Sequence, residues 1–293
     1  MSPNARNDLA IAIICALPLE ADAVEALFDE HYDRLGKHYG KRGGDANAYI
    51  NGRIGKHNVV LCYMPGIGKG SAASVASSLQ VSCLGIKLAL VVGICGGAPS
   101  LPEYGDIFLG DVIISDSVID YDFGRQYPGV FSRKSGAKEA LGRPSRKIRT
   151  LLNSLRAENA RRELQSQVQR YLQVLQHRGP KWCHPGCSCF ESDSPEQLSD
   201  KALGKECDEL GCDSSQQIRC REVSDAIQTS IHIGPVASAD TVKSGQHRDE
   251  IARKEKDIGF EMEGAGVWDN VPCIIIKGVC DYADSHKSKL WQK

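Results

Sequence analysis

The sequence has no excess of charge of either sign, since 36 Lys and Arg against 37 Asp and Glu give a formal net charge of −1. This balance gives no indication of a basic surface for nucleic acid or for an anionic membrane. The sequence also lacks any apolar run near the roughly 20 residues of a membrane span, and its first residues lack the basic-then-apolar order of a signal peptide. We therefore expect a cytoplasmic protein whose partner is a small molecule, with no nucleic acid and no membrane.

The cysteines, 12 in all, fall into two classes by position. Six lie in or beside apolar runs, where a reduced cysteine behaves as a small hydrophobic residue; they are Cys15, Cys62, Cys83, Cys95, Cys273 and Cys280. The other six crowd into one polar stretch; they are Cys183, Cys187, Cys189, Cys207, Cys212 and Cys220. We therefore expect a separate Cys-rich insertion at about residues 178–222.

This insertion has two interpretations. With His184, its cysteines offer enough ligands for a zinc-binding interaction element. Their spacings, C-x3-C-x-C and C-x4-C, match no standard zinc pattern, which favours a surface loop without metal. We expect no metal and no cofactor.

A chain of 293 residues, 41% hydrophobic and 25% charged, can form one large α/β domain or two ordinary ones. Short runs rich in Ile and Val predict buried strands at residues 9–17, 57–64, 86–93, 107–115, 231–238 and 272–279. Helical patterns lie between them at residues 18–30, 69–80 and 144–177. This alternation predicts a single α/β domain with a central mixed, largely parallel twisted sheet flanked by helices.

Acidic residues follow three of the predicted strands. Glu20 comes just inside a helix start, the pair Glu261 and Glu263 follows a short run, and Asp281 follows the last strand. Each acid alone has an ordinary explanation at a helix N-terminus. Together they favour a ligand site, because ligands of α/β sheets bind at strand ends. Another strand end carries glycines, including Gly96, that let the backbone approach a ligand closely.

The segment GIGKGS at residues 66–71 suggests a nucleotide P-loop at first sight. The glycine required four residues before the Gly-Lys-Ser/Thr element is missing, and Lys69 is followed by Gly70. The segment therefore indicates close packing of a strand against a helix.

Five segments together carry a resemblance to a known family. In chain order they are CALPLEADAV, GIGKGSAA, VVGICGGAPSLPEYGDIFLGDVIIS, GFEMEGAG and GVCDYAD. This ordered set resembles the purine nucleoside phosphorylase and uridine phosphorylase superfamily, over roughly residues 9–135 and 230–290. Within it, the chain is most similar to fungal nucleoside phosphorylase-like domains and to methylthioadenosine/S-adenosylhomocysteine nucleosidase. Family members continue past the Asp motif with a long helix, which we expect this chain to lack.

The resemblance implies a role for each acid. Asp281 matches the general acid that protonates N7 of the purine, although Cys280 replaces the serine of the family motif. Glu263 matches the acid that accepts hydrogen bonds from the ribose 2′ and 3′ hydroxyls, with Met262 against the sugar. Glu261 would be a structural or secondary binding residue.

Members of the family differ in the nucleophile, which is phosphate in the phosphorylases and water in the nucleosidases. The phosphorylases bind phosphate with Arg and Ser at positions that read Glu20, Val91 and Ile94 in this chain. A carboxylate and two aliphatic side chains cannot bind a phosphate dianion. The nucleosidases place a Glu in the first of these positions to activate water, so the resemblance implies hydrolysis of a purine nucleoside by Glu20 and Asp281.

The substrate stays open at this stage. The base-stacking Phe of bacterial nucleosidases falls near Val242, so Phe123 or Tyr121 would hold the base instead. Adenosine, inosine, guanosine or a nucleotide such as ATP are all possible, with Arg125, Arg133 and Lys134 as candidates for a 5′ phosphate chain. A phosphate-dependent phosphorylase and a non-catalytic nucleoside sensor are the alternative functions. The resemblance also implies a homo-oligomer.

Overall fold

The computed structural model describes residues 3–34, 38–128, 130–136, 138, 140–178, 229–241, 245–283 and 289–292. The Cys-rich insertion predicted at about 178–222 lies outside these residues apart from Arg178, and so does Val242. In the described part of the chain, no helix is long and apolar enough to cross a membrane.

The described chain alternates strands and helices. The strands are β1 Ile11–Cys15, β2 Glu30–Arg34, β3 Ala48–Ile54, β4 His57–Tyr63, β5 Leu88–Gly97, β6 Ser100–Leu101, β7 Gly105–Asp106, β8 Val112–Asp120, β9 Gly124–Tyr127, β10 Val130–Arg133, β11 Ile231–Ser238, β12 Gly259–Glu261 and β13 Cys273–Asp281. The α-helices are α1 Pro18–Glu25, α2 Lys69–Ser82, α3 Arg146–Arg156, α4 Glu158–His177, α5 Gly245–Glu255 and α6 Gly264–Trp268.

The main sheet has nine strands in the order β12-β11-β8-β13-β5-β1-β4-β3-β2. Strand β1 pairs in parallel with β4 and β5, and β5 pairs in parallel with β13, whereas β8 runs antiparallel to β13. Strand β12 pairs with β11 and also with β5, which closes five strands into a ring. The predicted fold class, an α/β domain with a mixed sheet flanked by helices, is confirmed.

Helices bury both faces of the sheet. Along β1, Ala12 and Ile14 pack in the same core as helix α2, and Ile13 and Cys15 pack in another core with α1. This alternation is the period of two expected of a strand that is buried on both sides. Helix α3 adds Ile148 and Leu152 to a core with residues of β8, β11 and β13.

Two predicted elements differ from the structure. The apolar run at 107–115 begins as a loop, because Gly110 has a φ of +86° and the Asp111 carboxylate accepts the N–H of Phe108, so that β8 starts only at Val112. The long helical pattern at 144–177 is two helices, because Ala157 is extended, with φ −63° and ψ 137°.

Candidate active site

The candidate site lies where β5, β12 and β13 meet. Gly96 of β5 pairs with Phe260 of β12 on one side and with Asp281 of β13 on the other. A cavity of about 300 Å³ opens at this junction, and its walls include Gly96, Phe260 and Asp281. A side chain at Gly96 could not be accommodated, because its Cβ would lie 2.8 Å from Oδ1 of Asp281.

Glu20 projects into this cavity from the first turn of α1 and is buried. Its Oε2 accepts the backbone N–H groups of Ala16 and Leu17, both at 2.9 Å, and its Oε1 accepts that of Ile94 at 2.9 Å. Gly93 makes this position possible, since any side chain there would overlap the Glu20 carboxylate. Three amides therefore fix the orientation of the carboxylate at the cavity wall.

Glu261 and Glu263, the two acids around Met262, have different environments. Glu261 is the last residue of β12, and its carboxylate accepts the backbone N–H groups of Glu263 at 3.0 Å and of Gly264 at 2.8 Å. Burial raises the pKa of Glu261, and the charge of Lys277 opposes that shift. Glu263 is the N-cap residue of α6. All three residues of the Glu-Met-Glu sequence line the cavity.

Lys277 compensates the charge of these acids. Its side chain is 1% exposed, and its Nζ lies 2.9 Å from Oε2 of Glu263 and 3.8 Å from Oε2 of Glu261. Burial alone would lower the pKa of Lys277, but the charges of Glu263, Glu261 and Glu20 outweigh it and raise the pKa. Lys277 is therefore an ammonium among three carboxylates.

Asp281 lies at the end of β13, in the same wall as Cys280. Its Oδ1 accepts the backbone N–H of Ala283 at 2.8 Å. The Sγ of Cys280 lies 3.7 Å from its Oδ2. A thiol is a weak hydrogen-bond donor, so the contact that a serine would make is present here in weaker form.

The described lining of the cavity also includes aromatic rings and one cation. Tyr121 and Phe260 line the cavity, with ring centroids 6.1 Å apart in an edge-to-face arrangement. Arg248, Thr241 and Ile251 also line it. Aromatic rings beside polar donors suit a heterocyclic base.

Phe123, the alternative to Tyr121 as the residue holding the base, is placed elsewhere. It is 44% exposed and lies under the ammonium of Lys134, which is 5.0 Å from its ring centroid, and it is not among the cavity-lining residues of the described chain. Arg133, one of the candidates for binding a 5′ phosphate chain, forms an ion pair with Glu255.

Val91 and Ile94, the two aliphatic residues at the family's phosphate positions, differ in their surroundings. Val91 is buried in the core that contains α2, whereas Ile94 lines the cavity. Neither side chain can donate a hydrogen bond.

Lys69 of GIGKGS is engaged by acids. Its Nζ donates to Asp120 at 2.9 Å and also to Asp122, while its backbone N–H donates to Asp240 at 2.7 Å. Gly68 precedes it with a φ of +113°, a conformation that favours glycine. The segment joins the start of α2 to two neighbouring loops.

Lys277 and Arg248 were not predicted as site residues. The sequence could have indicated Lys277, because a lysine inside the apolar run PCIIIKGV needs a buried anionic partner. It could not have indicated Arg248, because helix α5 is polar along most of its length and only the fold shows that Arg248 is buried.

The fold and this acidic cavity define an α/β protein of the nucleoside phosphorylase and nucleosidase type. Residues 10–292 match the sequence profile of the phosphorylase superfamily. The chain therefore belongs to the phosphorylase superfamily, and the predicted resemblance is confirmed.

One curated relative is a much longer protein than this chain. The chain is 31% identical over 298 residues to a nucleotide-binding leucine-rich repeat (NLR)-like protein of Hyaloscypha variabilis; the alignment covers 99% of this chain and 28% of that protein. The chain thus spans 28% of the length of this curated relative.

Solved structures share the fold at low sequence identity. A methylthioadenosine/S-adenosylhomocysteine nucleosidase of Helicobacter pylori superposes with a TM-score of 0.56 at 16% identity, covering 95% of this chain and 88% of that one. Futalosine hydrolase of Helicobacter pylori superposes with a TM-score of 0.55 at 16% identity, covering 96% and 88%.

Proposed function

We propose that this chain hydrolyses the N-glycosidic bond of a purine nucleoside, releasing the free base and ribose. The observation that carries this proposal is the charge of the cavity wall. Four carboxylates line the described cavity, namely Glu20, Glu261, Glu263 and Asp281, and they outnumber the lining cation Arg248 and the buried ammonium of Lys277 that pairs with Glu263. A phosphorylase must hold a phosphate dianion beside the anomeric carbon, and each carboxylate at 4 Å would oppose it by about 4 kcal/mol per unit charge pair at an effective dielectric constant of 20. Water carries no such penalty.

Glu20 is the proposed general base. A carboxylate has about four acceptor positions, and three of those of Glu20 are taken by backbone N–H groups, two on Oε2 and one on Oε1. The remaining position, on Oε1, can accept a proton from water. Because the amides hold the carboxylate in place, little reorganisation is needed when water attacks.

Asp281 is the proposed general acid. In the reaction the bond between C1′ and N9 breaks, its electron pair moves into the purine, and Asp281 in its acid form donates a proton to N7. Water forms the new bond to C1′ and gives its proton to Glu20. The hydrogen bond from Ala283 to Oδ1 orients the carboxyl group, and Oδ2, which lies 3.7 Å from the Sγ of Cys280, is proposed to carry the proton.

Glu263 and Met262 are proposed to hold the ribose, as both line the same cavity as Glu20 and Asp281. The ammonium of Lys277 donates to Oε2 of Glu263 and holds this carboxylate in place, where it can accept hydrogen bonds from the 2′ and 3′ hydroxyls. Lys277 itself acts through Glu263, as a positioning residue.

The sugar product tests the proposal. The protein is incubated with inosine, guanosine and adenosine, with and without inorganic phosphate, and the sugar is identified by chromatography and phosphorus NMR. We expect free ribose in both conditions at equal rates. Ribose 1-phosphate that increases in proportion to added phosphate would show a phosphorylase.

Two variants test the assigned roles. Asp281→Asn should lower turnover by about 10²- to 10⁴-fold, the usual contribution of general acid catalysis. Glu20→Gln should lower kcat while leaving KM within a few-fold, because Glu20 acts on water. A variant with native unfolding behaviour and near-parental turnover would remove that residue from the mechanism.

A second candidate is the same cleavage on a nucleotide such as ATP, with this chain as the effector part of a larger protein. The similarity to an NLR-like protein, of which the chain spans 28%, favours such a setting. Comparing ATP with adenosine and ITP with inosine separates the effect of the 5′ phosphates from that of the base. At least a tenfold higher kcat/KM for both triphosphates would favour this candidate.

A further inference from the structure

The outer surface of helices α3 and α4 concentrates positive charge. Residues 143–178 contain nine Lys and Arg residues against two Glu residues, although the whole chain has a formal net charge of −1. All nine cations are exposed; they are Arg143, Arg146, Lys147, Arg149, Arg156, Arg161, Arg162, Arg170 and Arg178. We call this surface the basic face.

Few acids neutralise the basic face. Among the residues that the structure describes, Arg156 pairs with Asp116 and Arg162 pairs with Glu158, and the remaining cations of the face have no acidic partner. Two of them donate to backbone carbonyl groups instead. Most of the positive charge therefore favours a partner that carries negative charge.

The second half of α4 adds apolar side chains to the basic face. Earlier in the helix, Leu164 and Val168 pack against the core formed with β8, β11 and β13. After Arg170 the helix turns apolar side chains outwards, since Tyr171 is 47% exposed and Val174 is 45% exposed. Residues three apart share one side of a helix. The face thus offers apolar contact beside its cations.

We propose that residues 179–228 of this same chain dock on the basic face. These residues, which we call the acidic segment, lie outside the described part of the chain and include all six cysteines of the predicted insertion. They comprise ten Asp and Glu residues against five Lys and Arg residues, so their net charge is opposite to that of the face. Their apolar residues, such as Leu198, Leu203 and Leu210, would cover Tyr171 and Val174. Opposite charge and apolar contact together give the complementarity of a docking surface.

The residues that flank the acidic segment are both held on α4. The segment begins directly after Arg178, the C-cap residue of the helix. It ends directly before Thr229, whose carbonyl oxygen accepts a hydrogen bond from Nε2 of Gln165. Gln165 and Arg178 are about 20 Å apart along the helix axis, a distance that a chain of this length spans several times over. Attachment at both ends raises the effective concentration of the segment at the face to about the millimolar range.

Other occupants suit the basic face less well. A second copy that offered the same face would set cations against cations, and like charges across an interface are unfavourable. A nucleic acid would have to displace a tethered segment of its own sign of charge.

The basic face lies away from the candidate active site. Helix α3 packs in a core with Leu88 and Ile274, which are at the amino ends of β5 and β13. The cavity opens at the carboxyl ends of the same strands, at Gly96 and Asp281. The docking is therefore independent of the proposed hydrolysis, and its test requires no turnover.

Limited proteolysis of the whole chain tests the docking. Chymotrypsin cleavage after Trp182 and Phe190 of the acidic segment is followed over time, because substitutions of charged residues leave both sites unchanged. The face variant reverses three charges of α3, and its matched control reverses three exposed cations elsewhere. The face variant is Arg146→Glu, Lys147→Glu and Arg149→Glu, and the control is Lys56→Glu, Arg253→Glu and Lys254→Glu. We expect cleavage at least about tenfold faster in the face variant than in the parent and the control.

A variant of the acidic segment completes the test and covers the case in which the face variant does not fold. Glu206→Lys, Asp208→Lys and Glu209→Lys should speed cleavage at least about tenfold as well. Combining both sets should give no more than about threefold over either alone, because a segment that has left the face cannot leave it twice. In the segment variant, whose α4 is unchanged, hydrogen exchange of the amides at 171–178 should become faster.

Each alternative has its own outcome. Equal cleavage of the parent and both charge variants, or rates that multiply to about 100-fold when the sets are combined, would overturn the proposal. Protection that increases with protein concentration, together with a dimer in sedimentation, would identify a second copy as the occupant. An oligothymidine of about 15 nucleotides should bind the segment variant more tightly than the parent; equal binding would show that the acidic segment does not occupy the face.

Discussion

Two clusters in this molecule each surround one lysine with carboxylates, and they differ in burial. In the buried cluster, formed by Lys277, Glu261 and Glu263, the lysine side chain is 1% exposed. In the rim cluster, formed by Lys69, Asp120 and Asp122, it is 19% exposed. The same pairing therefore has different consequences, because water replaces a lost partner more readily at the rim than beside the buried side chain of Lys277.

Both lysines remain charged for the same physical reason. Burial lowers the pKa of each ammonium, and the carboxylates more than reverse this: Glu263, Glu261 and Glu20 raise the pKa of Lys277, and hydrogen bonds to Asp122 and Asp120 raise that of Lys69. The stability that depends on each lysine's raised pKa is present at neutral pH and is lost only when the pH rises through that value. The comparison is therefore best tested by substitution.

The largest expected effect is that of Lys277→Met. Removing the ammonium leaves Glu261 and Glu263 buried without compensation, and breaking a buried pair in this way costs about 3–5 kcal/mol of unfolding free energy. Base release should be lost with it. Chemical denaturation at pH 7 measures the change, with Lys277→Arg as the charge-preserving control. A decrease in unfolding free energy below about 1 kcal/mol would mean that the ion pairs of Lys277 contribute no more to stability than exposed ion pairs do.

Glu263→Ala separates binding of the diol from packing. A hydrogen bond to a charged group contributes about 1.5–3 kcal/mol, so kcat/KM for a ribonucleoside should fall by about 10- to 100-fold more than that for its 2′-deoxy analogue. The two substrates share the same base, which makes each the control of the other. Equal losses would show that Glu263 serves only as the partner of Lys277.

Asp257 is a buried acid that, unlike Glu261 and Glu263, has no lysine partner among the described residues. It is 0% exposed, and within the described residues neither carboxylate oxygen has a hydrogen-bond partner. Burial, and secondarily the charge of Glu255, raises its pKa from 3.8 to about 8, although Arg133 opposes the shift. The folded protein therefore holds this proton more tightly than the unfolded chain, and the stability this confers is lost as the pH rises from about 4 to 8.

Asp257→Asn should remove that dependence. Because asparagine stays neutral, we expect the variant to be more stable than the parent by about 1–3 kcal/mol above pH 8, the usual cost of an unsatisfied buried group, with a smaller difference at pH 5. Denaturation curves of both proteins between pH 5 and 9 measure it. Parallel stability profiles would mean that the carboxylate finds a partner in solution.

Strands were predicted correctly where the sequence contains a clear apolar run. Strand β11 was predicted with its observed bounds, Ile231–Ser238, because it is a short apolar run most of whose residues are buried in the sheet. Strand β2 was missed, because it is a polar strand, EHYDR, at the edge of the sheet next to β3 in the described part of the chain. The closure of β12 against β5 could not be predicted, since it depends on contacts between residues more than 150 positions apart in the chain, such as Gly96 and Phe260.

The site residues likewise include some that the sequence predicted and some that only the fold revealed. Glu20, Glu263 and Asp281 were predicted because each follows an apolar run, and the structure brings all three to one cavity. Phe123 was a candidate because it is one of two aromatic residues in the DYDFGR loop, but it lies two positions after the buried Tyr121 and its side chain is 44% exposed. Residues that act from another element, such as Arg248, become visible only in the fold.

The smallest expected effect is that of Lys69→Met at the rim. Lys69 and its partners Asp120 and Asp122 are each about one-fifth exposed, so the two carboxylates regain water when the ammonium is removed, and the loss should be about 1 kcal/mol or less. The backbone hydrogen bond from Lys69 to Asp240 is retained in the variant and continues to hold the start of α2.

Base release should stay within about threefold of the parent and should stay independent of phosphate. In the parent, Asp120 and Asp122 already bind the ammonium of Lys69, so this group is not available to bind phosphate and its removal should not matter. Denaturation and nucleoside turnover are measured together, with Lys69→Arg as the control. A loss above about 3 kcal/mol would mean that the rim is as closed to water as the buried cluster, and the contrast between the two lysines would fail.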